Sequence, residues 1–347
     1  MSTGKKILVG ILIVILLAGA GVIVFLNNLG NALDEDNAET VSLTIESGSG
    51  TGTIAKVLFD NYIIDNVNEF KLWSRLNGYD SQYKAGTYTL SPSMDYQTIA
   101  DIIVGGKVNT KNFTIPEGYT IYQTAKALAD QGFGNYDKFV ELIEAGDFDY
   151  EFLGEAQDNK NKLEGYIMPN TYTVDEGMNE EQVINVMLRQ FEKDAYVAYK
   201  EADKAGPAGK YSLNEIVTIA SIIERECKVD EERPLVASVI YNRLDKGMAL
   251  QMCSTVQYVL GKQKEVLTIA DTKIESPYNT YINAGLPPGP IASPGMAAVK
   301  AALNPADTDY LYFVVSEKLD GTSNFSATYE KFLQDKAAYD RAYTAAN

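Results

Sequence analysis

Two carboxylates two residues apart, Glu224 and Glu226, stand within the stretch Ser212 to Leu244, SLNEIVTIASIIERECKVDEERPLVASVIYNRL. Ser212 followed three residues later by Glu215 is a capping box, so the spacing predicts a helix that begins there. Ile216, Ile219, Ala220, Ile223 and Cys227 recur at helical spacing and mark one apolar stripe. At ~100° per residue, Glu224 lies about 80° to one side of Ile216's direction and Glu226 about 80° to the other. An acid on the shoulder of a buried stripe loses part of its hydration, its pKa rises, and it can act as a general acid near neutral pH. Helix geometry does not choose between the two. The same positions also suit ordinary solvent-facing acids.

Composition narrows the chemistry. The 347 residues allow two domains or one with appendages. The formal charge of −17 argues against nucleic acid as a partner and against a polybasic hold on anionic lipid. There is no histidine, which removes a Ser-His-Asp triad, a Cys-His pair and His-based metal sites. Acid–base work falls to Glu, Asp, Tyr, Lys or Cys. Cys227 and Cys253 are too few for a disulfide framework or a zinc ribbon; they are either one bridge or two buried apolar residues.

Several elements must position those acids. Residues 7–26, ILVGILIVILLAGAGVIVFL, are uncharged and apolar, and as a helix they span about 30 Å, the thickness of a bilayer core. Lys5 and Lys6 precede the run and Asp34-Glu35-Asp36 follow it, so residues 1–6 are expected in the cytoplasm and the rest outside. A cleaved signal peptide is the competing reading. Residues 27–40 read as a polar tether. Residues 41–108 and 109–160 read as two small α/β units, and 161–347 as a mixed α+β main domain, giving an α+β protein behind one membrane helix. The small units share a repeat: Thr44-Ile45-x-x-Gly48 with Ala55-Lys56-x-Leu58 matches Thr114-Ile115-x-x-Gly118 with Ala125-Lys126-x-Leu128 at a constant offset of 70. The physical unit is a strand, a Gly turn and a helix packing back.

Helices are expected over 134–160 and 180–199, with a loop-rich stretch from Leu163 to Tyr172. A second helix is expected from Arg233 to Leu244, a strand over 309–315 and a last helix from Phe332 to Tyr343. From Gly247 to Pro305 the density of Pro and Gly predicts a long ordered loop, rich in Tyr, Asn and Ser, of the kind that lines a site. Tyr faces stack on sugar rings, amides and hydroxyls bond sugar hydroxyls, and glycosidic cleavage needs a carboxylic acid to protonate the leaving oxygen. The residues alone leave an enzyme and a non-catalytic wall-binding scaffold both open.

Ordered blocks across the last 190 or so residues carry a resemblance. They are Leu163-Glu164-Gly165-Tyr166 with Pro169-x-Thr171-Tyr172, Ala220-Ser221-Ile222-Ile223-Glu224-Arg225-Glu226, Tyr241-Asn242-Arg243-Leu244, Ser276-Pro277-Tyr278-Asn279-Thr280-Tyr281, Gly285-Leu286-Pro287-Pro288-Gly289-Pro290 and Ala302-Leu303-Asn304-Pro305. From residue 41 onward the chain resembles the endolytic murein transglycosylase family, MltG or YceG-like. The resemblance implies a LysM-like unit at 41–108 and lytic cleavage of the MurNAc–GlcNAc bond of nascent peptidoglycan to 1,6-anhydroMurNAc ends. It further implies no cofactor, a place in the cell membrane beside peptidoglycan polymerases, and a part in ending strand elongation. By matching the first acid of the family block, Glu224 takes the catalytic role. Gln251, Ser254, Thr255, Tyr258, Asn279 and Tyr281, and less strongly Glu164, are candidates to hold sugar. One departure is visible: where the family often reads Leu-Gln-Thr-Asp-Pro-Thr-Val, this chain has Leu250-Gln251-Met252-Cys253-Ser254-Thr255-Val256. A scheme with one carboxylate survives that loss, and a scheme needing a second is put in doubt.

Overall fold

The computed structural model describes residues 29–106, 110–154, 156, 161–202, 206–264 and 266–346. The apolar run at 7–26 lies outside them. Among the described residues no helix is long and apolar enough to cross a membrane. The chain divides into two compact units, residues 1–111 with 173–178, and 112–172 with 179–347. Of residues 109–160, read from sequence as a small unit of their own, 112–160 cluster with the large one.

In the first unit, β1 (Val41–Ile45) pairs antiparallel with β2 (Gly86–Leu90), Val41 opposite Leu90 and Ile45 opposite Gly86. Leu43 and Ile45 point inward while Ser42 and Thr44 alternate outward, the period-two pattern of a one-sided sheet. Helices α1 (Thr51–Asp60), α2 (Val67–Leu76) and α3 (Tyr96–Gly105) complete the unit. The Asn66 side chain caps α2, and Gly106 ends α3 in the left-handed region at φ 64°. Ile54, Leu58, Phe70, Tyr88, Ile99 and Ile103 form its core.

The second unit opens on the same strand–turn–helix pattern: β3 (Thr110–Ile115), a turn at Gly118, then α4 (Ile121–Asp130). The repeat therefore reaches the level of packing. Ile45 and Ile115, Ala55 and Ala125, and Leu58 and Leu128 are all buried. Gly48 and Gly118 both take positive φ, 82° and 75°. Lys56–Asp60 and Lys126–Asp130 even repeat the same helix ion pair. α4 starts on a capping box formed by Thr120 and Gln123. Next come α5 (Tyr136–Ala145), β4 (Asn170–Asp175), α6 (Glu180–Phe191), a π-helical turn (Glu192–Tyr196) and α7 (Val197–Glu201). β4 pairs with β3. The sequence read the segment before Tyr172 as loop; of the 134–160 stretch, the described residues form α5 to Ala145 and a short 3₁₀ turn at Glu151–Leu153.

Around the acids stand α8 (Leu213–Glu226), α9 (Arg233–Asp245), α10 (Cys253–Leu260) and α11 (Met296–Leu303). Strands β5 (Tyr312–Val315) and β6 (Ser323–Ser326) form a hairpin, and α12 (Tyr329–Ala346) ends the chain. α8 begins on the predicted Ser212–Glu215 capping box. It buries more than a stripe: every residue from Ile216 to Ile223 is inside, because α9, α10 and α11 pack on it from several sides. Each fully buried Ile or Val is worth about 1.5–3 kcal/mol, so the helix is anchored before its acids emerge at the end. The stretch read as one long loop contains α10 and α11. α10 stops at Gly261, again left-handed at φ 63°.

Candidate active site

The end of α8 presents its two acids to different surroundings. Glu224 is taken up by Arg233 at the start of α9. Arg233 donates Nη1 to Oε2 at 3.0 Å and Nη2 to Oε1 at 3.2 Å, a two-point fork, and the Gly295 amide donates to Oε2 at 3.0 Å. The two side chains are 7% and 6% exposed, so the pair is a buried one. Arg233 also holds Asp230 at 2.8 Å. Glu117, in the turn of the second repeat, lies beside this pair, and burial followed by repulsion from Glu224 raises its carboxyl above the ordinary range. The same turn is fixed to the helix end: Arg225 donates to the Gly118 carbonyl at 3.1 Å and the Gly118 amide to the Ser293 carbonyl at 2.9 Å. A Cβ on Gly118 would meet Arg225 Cδ at 3.4 Å, whereas the equivalent Gly48 has nothing within 4 Å. One copy of the repeat has thus become part of the site.

Glu226 faces the other way, into a cavity of about 340 Å³ that it shares with Gln251, Tyr281, Tyr312, Phe332 and Lys336 among others. Its Oε1 accepts the Ser254 amide at 2.8 Å. Ser254 is in the first turn of α10, where exposed N–H groups and the helix dipole favour negative charge. Burial still dominates and pushes the Glu226 carboxyl up, against the pull of the Ser254 amide and hydroxyl. Among the described residues lining this cavity, Glu226 is the one carboxylate. Cys253 is a thiol within 3.1 Å of the Tyr281 hydroxyl. Burial, with Glu226 nearby, raises it, so it is held neutral. Cys227 and Cys253 are both free thiols.

The remaining candidates separate into walls and braces. Gln251 and Tyr281 line the cavity with Glu226. Gln251 is held at φ 52°, a left-handed conformation, by its amide bonding the Thr280 carbonyl at 3.0 Å. Thr255 and Asn279 are buried braces. Thr255 Oγ1 donates to the Met252 carbonyl at 2.8 Å and meets Thr280 Oγ1 at 2.9 Å. Asn279 donates to the Thr272 and Ile274 carbonyls at 3.1 and 2.8 Å and accepts the Tyr281 amide at 3.0 Å. Tyr258 lines a second cavity at the far end of α10, and Glu164 is buried behind it, accepting the Tyr258 hydroxyl at 3.3 Å. The Tyr241-Asn242-Arg243 run is structural: Tyr241 bonds the Ala302 carbonyl, Asn242 the Thr308 and Tyr310 carbonyls, and Arg243 the Leu311 and Leu250 carbonyls. Gly165 sits where any Cβ would strike Pro290 and Val217 at 2.5 and 2.8 Å. Sequence reasoning missed Glu117 and gave no role to Arg233, although Glu232-Arg233-Pro234 is among the blocks that carry the resemblance. Arg233 lies nine positions from Glu224 across a helix break, and no periodicity links them.

A profile of the YceG-like family matches residues 43–338. An endolytic murein transglycosylase of Bacillus subtilis (strain 168) is 35% identical over 332 residues, 92% of this chain and 90% of that protein. One from Streptococcus pneumoniae (strain R6) is 31% identical over 309 residues, 81% of this chain but 55% of that longer protein. A crystal structure of a YceG-like protein from Listeria monocytogenes, 34% identical, superposes with a TM-score of 0.56 over 85% of this chain and 99% of that one. Matched from residue 43 to 338, with its ordered blocks built into one helix end and the loops around it, the chain belongs to the YceG-like family.

Proposed function

We propose that the protein is an endo-acting lytic transglycosylase that cleaves the MurNAc–GlcNAc bond of peptidoglycan strands, with Glu226 as its acid and base. The observation that carries this reading is the single carboxylate of the cavity. Burial raises the Glu226 carboxyl and the residue lines the cavity, while Glu224 is occupied by Arg233. The curated relatives are named endolytic murein transglycosylases.

Protonated Glu226 gives its proton to the glycosidic oxygen, and the C1–O bond breaks toward an oxocarbenium-like MurNAc. The resulting carboxylate is stabilised by the Ser254 amide at the start of α10. It then takes the proton of the C6 hydroxyl of the same sugar while that oxygen closes on C1, giving the 1,6-anhydro end. No water is consumed, so no second carboxylate is needed to activate one, unlike hydrolysis. The nucleophile is already held by the substrate, which supplies a large effective molarity. Gln251 and Tyr281 provide an amide and a hydroxyl for sugar and N-acetyl groups, and Tyr312 and Phe332 an aromatic wall. Glu224 with Arg233 fixes the angle at which α8 delivers Glu226. Ser254, Thr255 and Asn279 hold the cavity's loops in shape.

The apolar run at 7–26 is read as a single membrane helix with its N-terminus in the cytoplasm and the two units outside. Its length and the flanking Lys5 and Lys6 support this. The β1–α1–α2–β2 order supports a LysM-like glycan-binding role for residues 41–108. A tether at the bilayer restricts reach to new strands and to the polymerases that make them. The test is product analysis in ¹⁸O-labelled water. Anhydro-ended fragments without label are expected; labelled reducing MurNAc ends would make the protein a hydrolase, and binding without release would make it a scaffold.

A further inference from the structure

A second cavity of about 510 Å³ opens at the other end of α10. Four tyrosines line it, Tyr122, Tyr136, Tyr258 and Tyr278, with amides from Gln123 and Asn161. The Tyr258 and Tyr278 rings lie 5.0 Å apart. Among the described residues that line it there is no carboxylate, and its Lys126 is paired with Asp130 at 2.9 Å. The wall is fixed by a chain of hydrogen bonds. Tyr122 shares its hydroxyl between Glu144 and Asn161, Asn161 donates to the Tyr258 oxygen at 3.0 Å, and Tyr258 reaches Glu164 at 3.3 Å. Beneath it Glu164 is fully buried and accepts the Ile121 amide at 3.0 Å. Burial pushes its carboxyl up to about 8, so the floor is uncharged at neutral pH.

Aromatic faces with amides and hydroxyls, and no unpaired charge, suit a neutral polar ring rather than an anion or an apolar chain. We infer that this cavity is a distal saccharide site, which takes another N-acetylated sugar of the same glycan strand whose cleavage occurs at Glu226. The inference rests on the lytic reading above. Cys253 in the first turn of α10 lines the first cavity, and Tyr258 and Val259 in its last turn line the second. Cys253 and Val259 are six positions apart, which at ~1.5 Å per residue separates the two walls by about 9 Å along the helix. A strand that spans both engages sugars well away from the broken bond, which favours long strands over short fragments.

The test uses the full chain carrying Glu226→Gln, so that binding is read without cleavage. The probe is the peptide-free hexamer of β-1,4-linked N-acetylglucosamine, titrated by calorimetry, beside a free stem-type peptide. Tyr136 is 41% exposed at the start of α5, so Tyr136→Ala leaves folding intact; Val259→Trp fills the cavity from α10. Each variant is expected to weaken the hexamer about tenfold, the size of one lost aromatic contact. In the cleaving background each should raise KM for long strands and leave the anhydro product unchanged. Unaltered hexamer affinity in both variants, or capture of the peptide instead of the sugar, would overturn the inference. The two readings fail separately. Hexamer affinity lost in the variants while the chain with Glu226 intact makes no anhydro ends sinks the lytic reading alone. Cleavage with untouched affinity sinks the distal site alone.

Discussion

Replacing Glu164 by Gln tests how the large unit is held together under its second cavity. Glu164 is 2% exposed, and burial raises its carboxyl from 4.5 to about 8 against the opposing pull of the Ile121 amide and the Tyr258 hydroxyl. Between those two pH values the folded chain keeps a proton that the unfolded chain has released. Stability from this group is therefore present in full below pH 4.5 and is lost as pH rises through 8. The slope is about 1.4 kcal/mol per pH unit, and the window of three and a half units makes the total about 5 kcal/mol. Gln offers the same carbonyl to Ile121 and an amide to Tyr258 but does not titrate. The wild type should accordingly lose about 5 kcal/mol relative to Glu164→Gln between pH 4.5 and 8, whatever the constant offset between them. Because two units complicate a global unfolding curve, hydrogen exchange at the Ile121 amide is the local readout, with urea unfolding beside it. Parallel stability profiles for the two proteins across this window would refute the reasoning.

Other perturbations separate site from scaffold. Arg233→Ala strands a buried carboxylate and should cost about 3–5 kcal/mol in thermal or urea unfolding, while Glu224→Met with Arg233→Met together should recover most of it. Gly118→Ala and Gly48→Ala should each cost about 1–2 kcal/mol of left-handed strain. Gly118→Ala alone should also slow cleavage, since its turn is bonded to Arg225 and Ser293. Asn279→Ala leaves two partly buried carbonyls and the Tyr281 amide without their partner; a loss of about 1–3 kcal/mol in stability is expected along with activity, rather than a pure rise in KM.

What the sequence made legible was local. The capping box at Ser212 involves partners within a turn, and it appears in place. The 70-residue repeat was readable because both copies bury the same Ile, Ala and Leu. What escaped needed distant partners. β4 exists because β3 pairs with it, and β6 because β5 does. α10 and α11 are short helices flanked by Gly and Pro, whose density drowned an eight-residue pattern. The separation of the two acids was invisible for the same reason. Spacing put Glu224 and Glu226 on equivalent shoulders of one helix. Arg233, Gly295 and Ser254, from other elements, make one a bolt and leave the other at an open cavity.

The central claim, that Glu226 and not Glu224 moves the proton, is tested by single-turnover cleavage of purified peptidoglycan strands. Wild type, Glu226→Gln and Glu224→Gln are compared, with anhydro-ended fragments counted by mass spectrometry. Gln preserves shape at both positions and removes the titrating proton. The account predicts a loss of about 10²–10⁴-fold for Glu226→Gln, the range of a missing general acid. For Glu224→Gln it predicts a smaller loss, matched by a fall in stability. A Glu226→Gln protein that cleaves at the wild-type rate, beside an inert but fully stable Glu224→Gln, would contradict it.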